Sequence, residues 1–183
     1  QAALDAATPG TTIKLAANGV FVGNFTIPPA ACGASDAWVT ITTNTTLPSA
    51  GTRVTPTTAA AYAEIRAANS RPTFRTLGPG PRCRVQIIGV EITNTLASRD
   101  SINYGMIYLG DGGYVGGGET QNTLARVPQD WILDRVYVHG ADSTNSTRCI
   151  ALNSGRTSII NSWISNCHAR GFDSQAILGY NGP

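Results

Sequence analysis

From Val85 onward the chain repeats itself, and a repeat narrows the folds open to a sequence more than any single residue does. "VQIIGVEIT" (85–93), "WILDRVYVH" (131–139) and "SIINSWISN" (158–166) read as one class of strand. "GMIYLG" (105–110), "RCIALN" (148–153) and "QAILGY" (175–180) read as another. A forward step of 27 carries Ile150 onto Ile177 and Gly155 onto Gly182. A backward step of 27 carries Ile159 onto Ile132, Asn161 onto Asp134 and Trp163 onto Val136. The preceding unit lies 43 residues back, Ile107 against Ile150, and an insertion within "DGGYVGGGETQNTLARVPQ" accounts for the surplus. A strand–turn–strand unit of this length cannot bury its own apolar face and buries it on the next copy instead. With short strands and no helix between them, the predicted stack is all-β: a single-stranded parallel β-helix. Equivalent residues of successive coils would then lie about 4.8 Å apart.

The rest of the chain fits one domain over 1–183. "QAALDAATPG" predicts a short amphipathic helix over 1–9, ended by Pro9-Gly10, that covers the edge of the first coil. "TTIKLAANGVFVGNFTI" predicts two short strands around the turn pair Asn18-Gly19, and "AWVTITTNT" a further strand. Residues 48–82 carry a helix start signal at Thr55-Pro56 amid Pro, Gly and Thr, and no element is assigned there. Regular coils are expected over 85–183, with an inserted loop over 111–130. Gly182 matches Gly155 in mid-coil, so a fragment continuing past Pro183 is expected, and the absence of an initiating Met agrees with a removed leader.

Charge excludes several functions. The chain has 13 basic and 11 acidic residues, a net charge of +2, and Lys14 is its only lysine. That balance lacks the positive field of a nucleic-acid binder. No run approaches the roughly 18 apolar residues of a membrane span. The four cysteines lack the close pairs of a zinc site and allow three connectivities, of which Cys32–Cys83 with Cys149–Cys167 is the expected one. An even cysteine count on a Thr/Asn-rich, Lys-poor chain points to an exported protein, secreted or held at the cell surface.

The capping helix, "GTTIKLAANGVFVGNFTIP", "LDRVYVHG", "IALNSGRTSIINSWISNC" and "DSQAILGYNGP" together resemble the bacterial right-handed parallel β-helix proteins of the pectate-lyase-like superfamily. The resemblance covers nearly the whole chain. It implies the fold, and for function it implies a tendency towards exported lyases and hydrolases of acidic or neutral polysaccharides. Many members have no assigned reaction.

In such folds a ligand lies across one sheet's outer face, walled by loops. Stacking of the loops 94–104, 139–148 and 166–175 would gather Arg99, Asp100, His139, Asp142, Arg148, His168, Arg170 and Asp173 on one rim. β-Elimination on a uronic-acid polymer needs a neutralised carboxylate and a base. His139 is the candidate base, with Arg148 or Arg170 as neutraliser. Ca²⁺ on Asp ligands would serve equally and is the one cofactor this chemistry admits, although no suitable row of Asp residues is found. Hydrolysis needs two carboxylates about 5–9.5 Å apart, for which Asp142 and Asp173 are the candidates. Asp111, at a strand end, Asp142, His168 and Tyr108 are the further candidate substrate contacts, Tyr108 being expected on the outer face of the second strand class with Ala151 and Leu178.

Asp134 and Asn161 are expected to form a hydrogen-bonded ladder. Arg135, Tyr137 and Trp163 read either as a sugar platform or as core. "GDGGYVGGG" lacks the Lys-Ser/Thr of a phosphate loop and reads as an inserted loop. Asn24, Asn44 and Asn145 lie in glycosylation sequons. The expected partner is a polysaccharide, cleaved by a lyase more readily than by a hydrolase. The alternatives are a glycan-binding module without catalysis and a structural module stacking end to end at its open C-terminal coil.

Overall fold

The computed structural model describes residues 1–28, 31, 35–76, 83–96, 102–110, 121 and 123–179. The described residues wind through five coils, each of three strands. The first coil holds β1 (Thr12–Ala16), β2 (Val20–Val22) and β3 (Phe25–Ile27), and the second β4 (Val39–Asn44), β5 (Ala63–Ala67) and β6 (Phe74–Thr76). The third holds β7 (Val85–Ile88), β8 (Val90–Asn94) and β9 (Ile107–Leu109), and the fourth β10 (Gln129–Asp134), β11 (Tyr137–His139) and β12 (Arg148–Leu152). The fifth holds β13 (Gly155–Ile160), β14 (Trp163–Ser165) and β15 (Gln175–Leu178). Like strands pair in parallel, giving three five-stranded sheets: A from β1 onward, B from β2 and C from β3. This is a parallel β-helix.

Three sheets replace the two strand classes read from the sequence. The longer class bends in its middle, where Gly89, Arg135 and Asn161 take φ of 60°, 51° and 53°. One left-handed residue turns the chain from sheet A into sheet B, a conformation that Gly and Asn accept at least cost. Arg135 accepts it because its guanidinium is held on both sides, by the Asp134 carboxylate at 2.6 Å and the Pro48 carbonyl at 2.7 Å. Asn18, with φ of 57°, does the same in the first coil. Asn18-Gly19 is therefore a corner between sheets and not a hairpin.

The period also needs one correction. Leu133 pairs with Ile159 and Tyr137 with Trp163, a step of 26, while Ile150 pairs with Ile177, a step of 27. The loop 166–174 is one residue longer than its counterpart 140–147, so a single period cannot fit all three sheets. Leu133, fully buried, takes the core position expected for Ile132. Ile107 pairs with Ile150 as expected. The Asp134–Asn161 ladder forms, Asn161 Nδ2 donating to Asp134 Oδ1 at 3.0 Å.

Period-2 alternation sends one apolar column of each sheet inward. Ile13, Ile41, Ile87, Leu133 and Ile159 stack in sheet A. Phe21, Ile65, Ile92, Val138 and Ile164 stack in sheet B. Phe25, Phe74, Ile107, Ile150 and Ile177 stack in sheet C. The helix α1 is shorter than predicted, Ala2–Asp5, and buries Leu4 over the first coil.

Residues 45–62, which include the first part of the stretch 48–82 left without an element, form a strap. The helix signal yields a single turn: Thr55 and Thr58 exchange side-chain-to-backbone bonds at 2.7 and 3.2 Å, and Ala59 N–H donates to the Thr55 carbonyl at 3.0 Å. From the second coil the strap runs along the corner between sheets A and B. Ala61 accepts from Asn18 N–H, Leu47 covers Gly89, Pro48 accepts from Arg135, and Val54 N–H donates to Asn161. Val54, Ala59 and Tyr62 make a small core of their own against Tyr137 and Trp163.

Cys149 and Cys167 are disulfide-bonded across 18 residues, tying β12 to the loop after β14. Cys83 is also disulfide-bonded, but the expected pairing with Cys32 rests on a residue outside those described. A closed loop of this length restrains the unfolded chain by about 3 kcal/mol. Cys149→Ser with Cys167→Ser should therefore lower the unfolding free energy by about that amount in a urea titration. Among the described residues no helix is long and apolar enough to cross a membrane.

Candidate functional site

The outward positions of sheet B carry the chemistry. Ala63-Glu64-Ile65-Arg66, Val90-Glu91-Ile92-Thr93, Val136-Tyr137-Val138-His139 and Ser162-Trp163-Ile164-Ser165 are the same four-residue pattern on successive coils. Its third residue faces the core, so its second and fourth face out. Two columns result: Val20, Glu64, Glu91, Tyr137 and Trp163, and beside it Val22, Arg66, Thr93, His139 and Ser165. The strap 45–62 bounds this face on one side and the loops 140–147 and 166–174 bound it on the other.

His139 sits mid-floor and half-buried, with both ring nitrogens engaged. Nδ1 donates to the Gly140 carbonyl at 2.7 Å and Nε2 meets Glu91 Oε1 at 2.7 Å. A carbonyl and a carboxylate accept, so this arrangement favours the protonated ring, the imidazolium. Burial pushes its pKa down. The Glu91 and Gly140 hydrogen bonds, with the charges of Glu91 and Glu64, more than offset this and hold it above the ordinary imidazole value. The Tyr137 ring stacks on His139, centroids 4.0 Å apart and planes 16° from parallel. Burial raises the Tyr137 pKa, against the pull of a hydrogen bond with Ser165. Thr93 Oγ1 donates to the His139 carbonyl at 2.6 Å and fixes its backbone. One coil before Glu91, Glu64 Oε1 meets Arg66 at 3.3 Å, leaving that guanidinium partly open to solvent.

The aromatic pair is not an open sugar platform. Tyr137 and Trp163 pack on the strap's core, and the Arg53 guanidinium covers Trp163 at 5.2 Å from its ring centroid.

The other candidates from the sequence scatter around this floor. Arg148 begins β12 in sheet C, where its guanidinium donates to the Tyr104 carbonyl at 3.2 Å and Thr147 Oγ1 at 3.3 Å. Arg170, Asp142 and Asp173 are exposed on the rim loops. His168 Nε2 lies 3.3 Å from the Asp142 carbonyl and Arg170 N–H donates to Asn145 Oδ1, so these loops brace each other. Tyr108 is 5% exposed and Ala151 fully buried, which closes the outer face of sheet C at those coils. Asp111, Arg99 and Asp100 lie outside the described residues.

Glu64, Arg66 and Glu91 were missed by the sequence reading. The aligned quartets would have revealed them, had the long strand class been split at Gly89 and carried back to "AEIRA". Calcium does not fit the described residues. No three His, Cys, Asp or Glu side chains among them come together as a metal-holding group, and each groove carboxylate already faces a cation. No family model, curated protein or solved structure matches this chain.

Proposed function

We propose that this chain is an exported, polysaccharide-active β-helix protein of the pectate-lyase-like kind, a lyase that cleaves uronic-acid-containing polysaccharide on the outer face of sheet B. The Glu91–His139 pair carries the proposal: an imidazole whose tautomer is set by a backbone carbonyl, beside a carboxylate, on a floor walled by loops. Once the ring loses a proton, Nδ1–H remains on the Gly140 carbonyl and Nε2 becomes the basic nitrogen. It takes the proton α to the uronate carboxylate. The electron pair forms the ring double bond, the glycosidic C–O bond breaks, and the departing oxygen is protonated by the new imidazolium, which Glu91 stabilises meanwhile. Arg66 supplies the positive charge for the uronate.

A second reading rests on one observation. Glu64 and Glu91 pair in register on neighbouring coils, which sets two carboxylates on one floor as hydrolysis requires.

The test is cleavage of a panel of uronic-acid polysaccharides across pH. Elimination yields an ultraviolet-absorbing unsaturated uronide, and hydrolysis yields reducing ends alone. Because neutral His139 is the active form and its pKa is raised, kcat/KM should fall as pH drops through a value above the ordinary imidazole one. Glu91→Gln should move that limb to lower pH. Binding without either product on every polymer overturns the catalytic reading in favour of a glycan-binding module.

A further inference from the structure

The lumen of the solenoid is not filled at its N-terminal end. A cavity of about 160 Å³ lies between α1 and the second coil, with Leu4, Leu15, Phe21, Phe25, Ile65 and Phe74 among its walls. Protein interiors pack as densely as organic crystals, and voids larger than one water molecule are few. A void of about 150 Å³ walled by Leu, Ile and Phe excludes water and takes up benzene. The cavity here is of that size and as apolar, Gln1 being the one polar residue of the lining, and it is partly open to solvent where Ile13, Leu15, Phe21 and Phe25 are only half-buried.

Gln1 also controls the cover. Its Nε2 donates to Asp5 Oδ1 at 2.7 Å and to the Thr26 carbonyl at 3.0 Å, while Oε1 accepts from Thr26 N–H at 2.9 Å. These bonds latch α1 to β3 through one side chain. The helix is four residues long, and besides that latch it is held by Leu4, which packs into the core.

We propose that the lumen beneath α1 is a binding site for one small apolar molecule, a single aromatic ring or a short alkyl chain, admitted when Gln1 lets go. The site is independent of the sheet B floor. Benzene titrated into the intact chain should give saturable amide NMR shifts confined to α1 and the first two coils, β1–β6, and should raise the thermal midpoint. Ala3→Leu, which puts a side chain into the cavity, should abolish those shifts while the ligand-free midpoint holds or rises. Should that variant fail to fold, Leu15→Phe provides the same comparison. Shifts that do not saturate, that map elsewhere, or that persist at full strength in a filled variant overturn the proposal.

Discussion

Replacing Trp131 with alanine is expected to cost about 3–5 kcal/mol of folding stability, the range for deleting a buried large aromatic. A domain is stable by only about 5–15 kcal/mol, so urea unfolding should show a midpoint shifted well below that of the parent. Trp131 is fully buried and stacks in register between Val85 and Thr157, so deleting its indole leaves a void inside the fourth coil. Neither neighbour can move in to fill the space, because each is fixed by its own parallel ladder. Trp131→Phe isolates the packing term. The indole N–H has no hydrogen-bond partner among the described residues, so phenylalanine removes a buried unsatisfied donor along with some volume. A small loss in Trp131→Phe beside a large one in Trp131→Ala would assign the stability to volume. Equal losses would contradict that account.

His139→Ala is expected to lower elimination by about 10²–10⁴-fold, the usual contribution of a positioned acid–base group. The fold should survive, since the side chain is on the outer face of β11 and its backbone is held separately by Thr93. pH gives a second signature that a structural role would not produce. The folded pKa of His139 is raised, so the stability from its pairing with Glu91 is complete below the unfolded pKa and is lost as pH rises through the folded value. Activity needs the neutral ring and gains over the same window in which that stability fades. Opposed pH trends in melting temperature and kcat/KM, both absent from His139→Ala, would tie the residue to proton transfer. Unchanged turnover in His139→Ala would remove it from the mechanism.

How much of this was readable in the chain follows from what sets each feature. The solenoid was legible because its core columns are Ile, Leu, Val and Phe at recurring intervals, and Ile107, Ile150 and Ile177 stack as their spacing implied. The third sheet was not, because in the third, fourth and fifth coils the A-to-B corner turns on a single left-handed residue. Gly89, Arg135 and Asn161 turn the chain without leaving the polar gap that marks a loop. His139 stood out in the sequence as one of two histidines. Glu91 did not, because a strand acid looks like any solvated residue until the register shows what lies beside it. The loop residues Arg170, Asp142 and Asp173 drew attention through their charge, and they lie on the rim rather than on the floor.

In an array of stacked repeats each unit meets only its neighbours, and the end units fray first. The strap changes that connectivity. Springing from the second coil, it bonds to Asn18 in the first, Arg135 in the fourth, and Asn161 and Ser162 in the fifth. Peeling away the fifth coil therefore strips contacts from a segment that also seals the second. The two ends of the stack are wired to each other, and hydrogen exchange should find the corner amides of all five coils opening as a single cooperative unit.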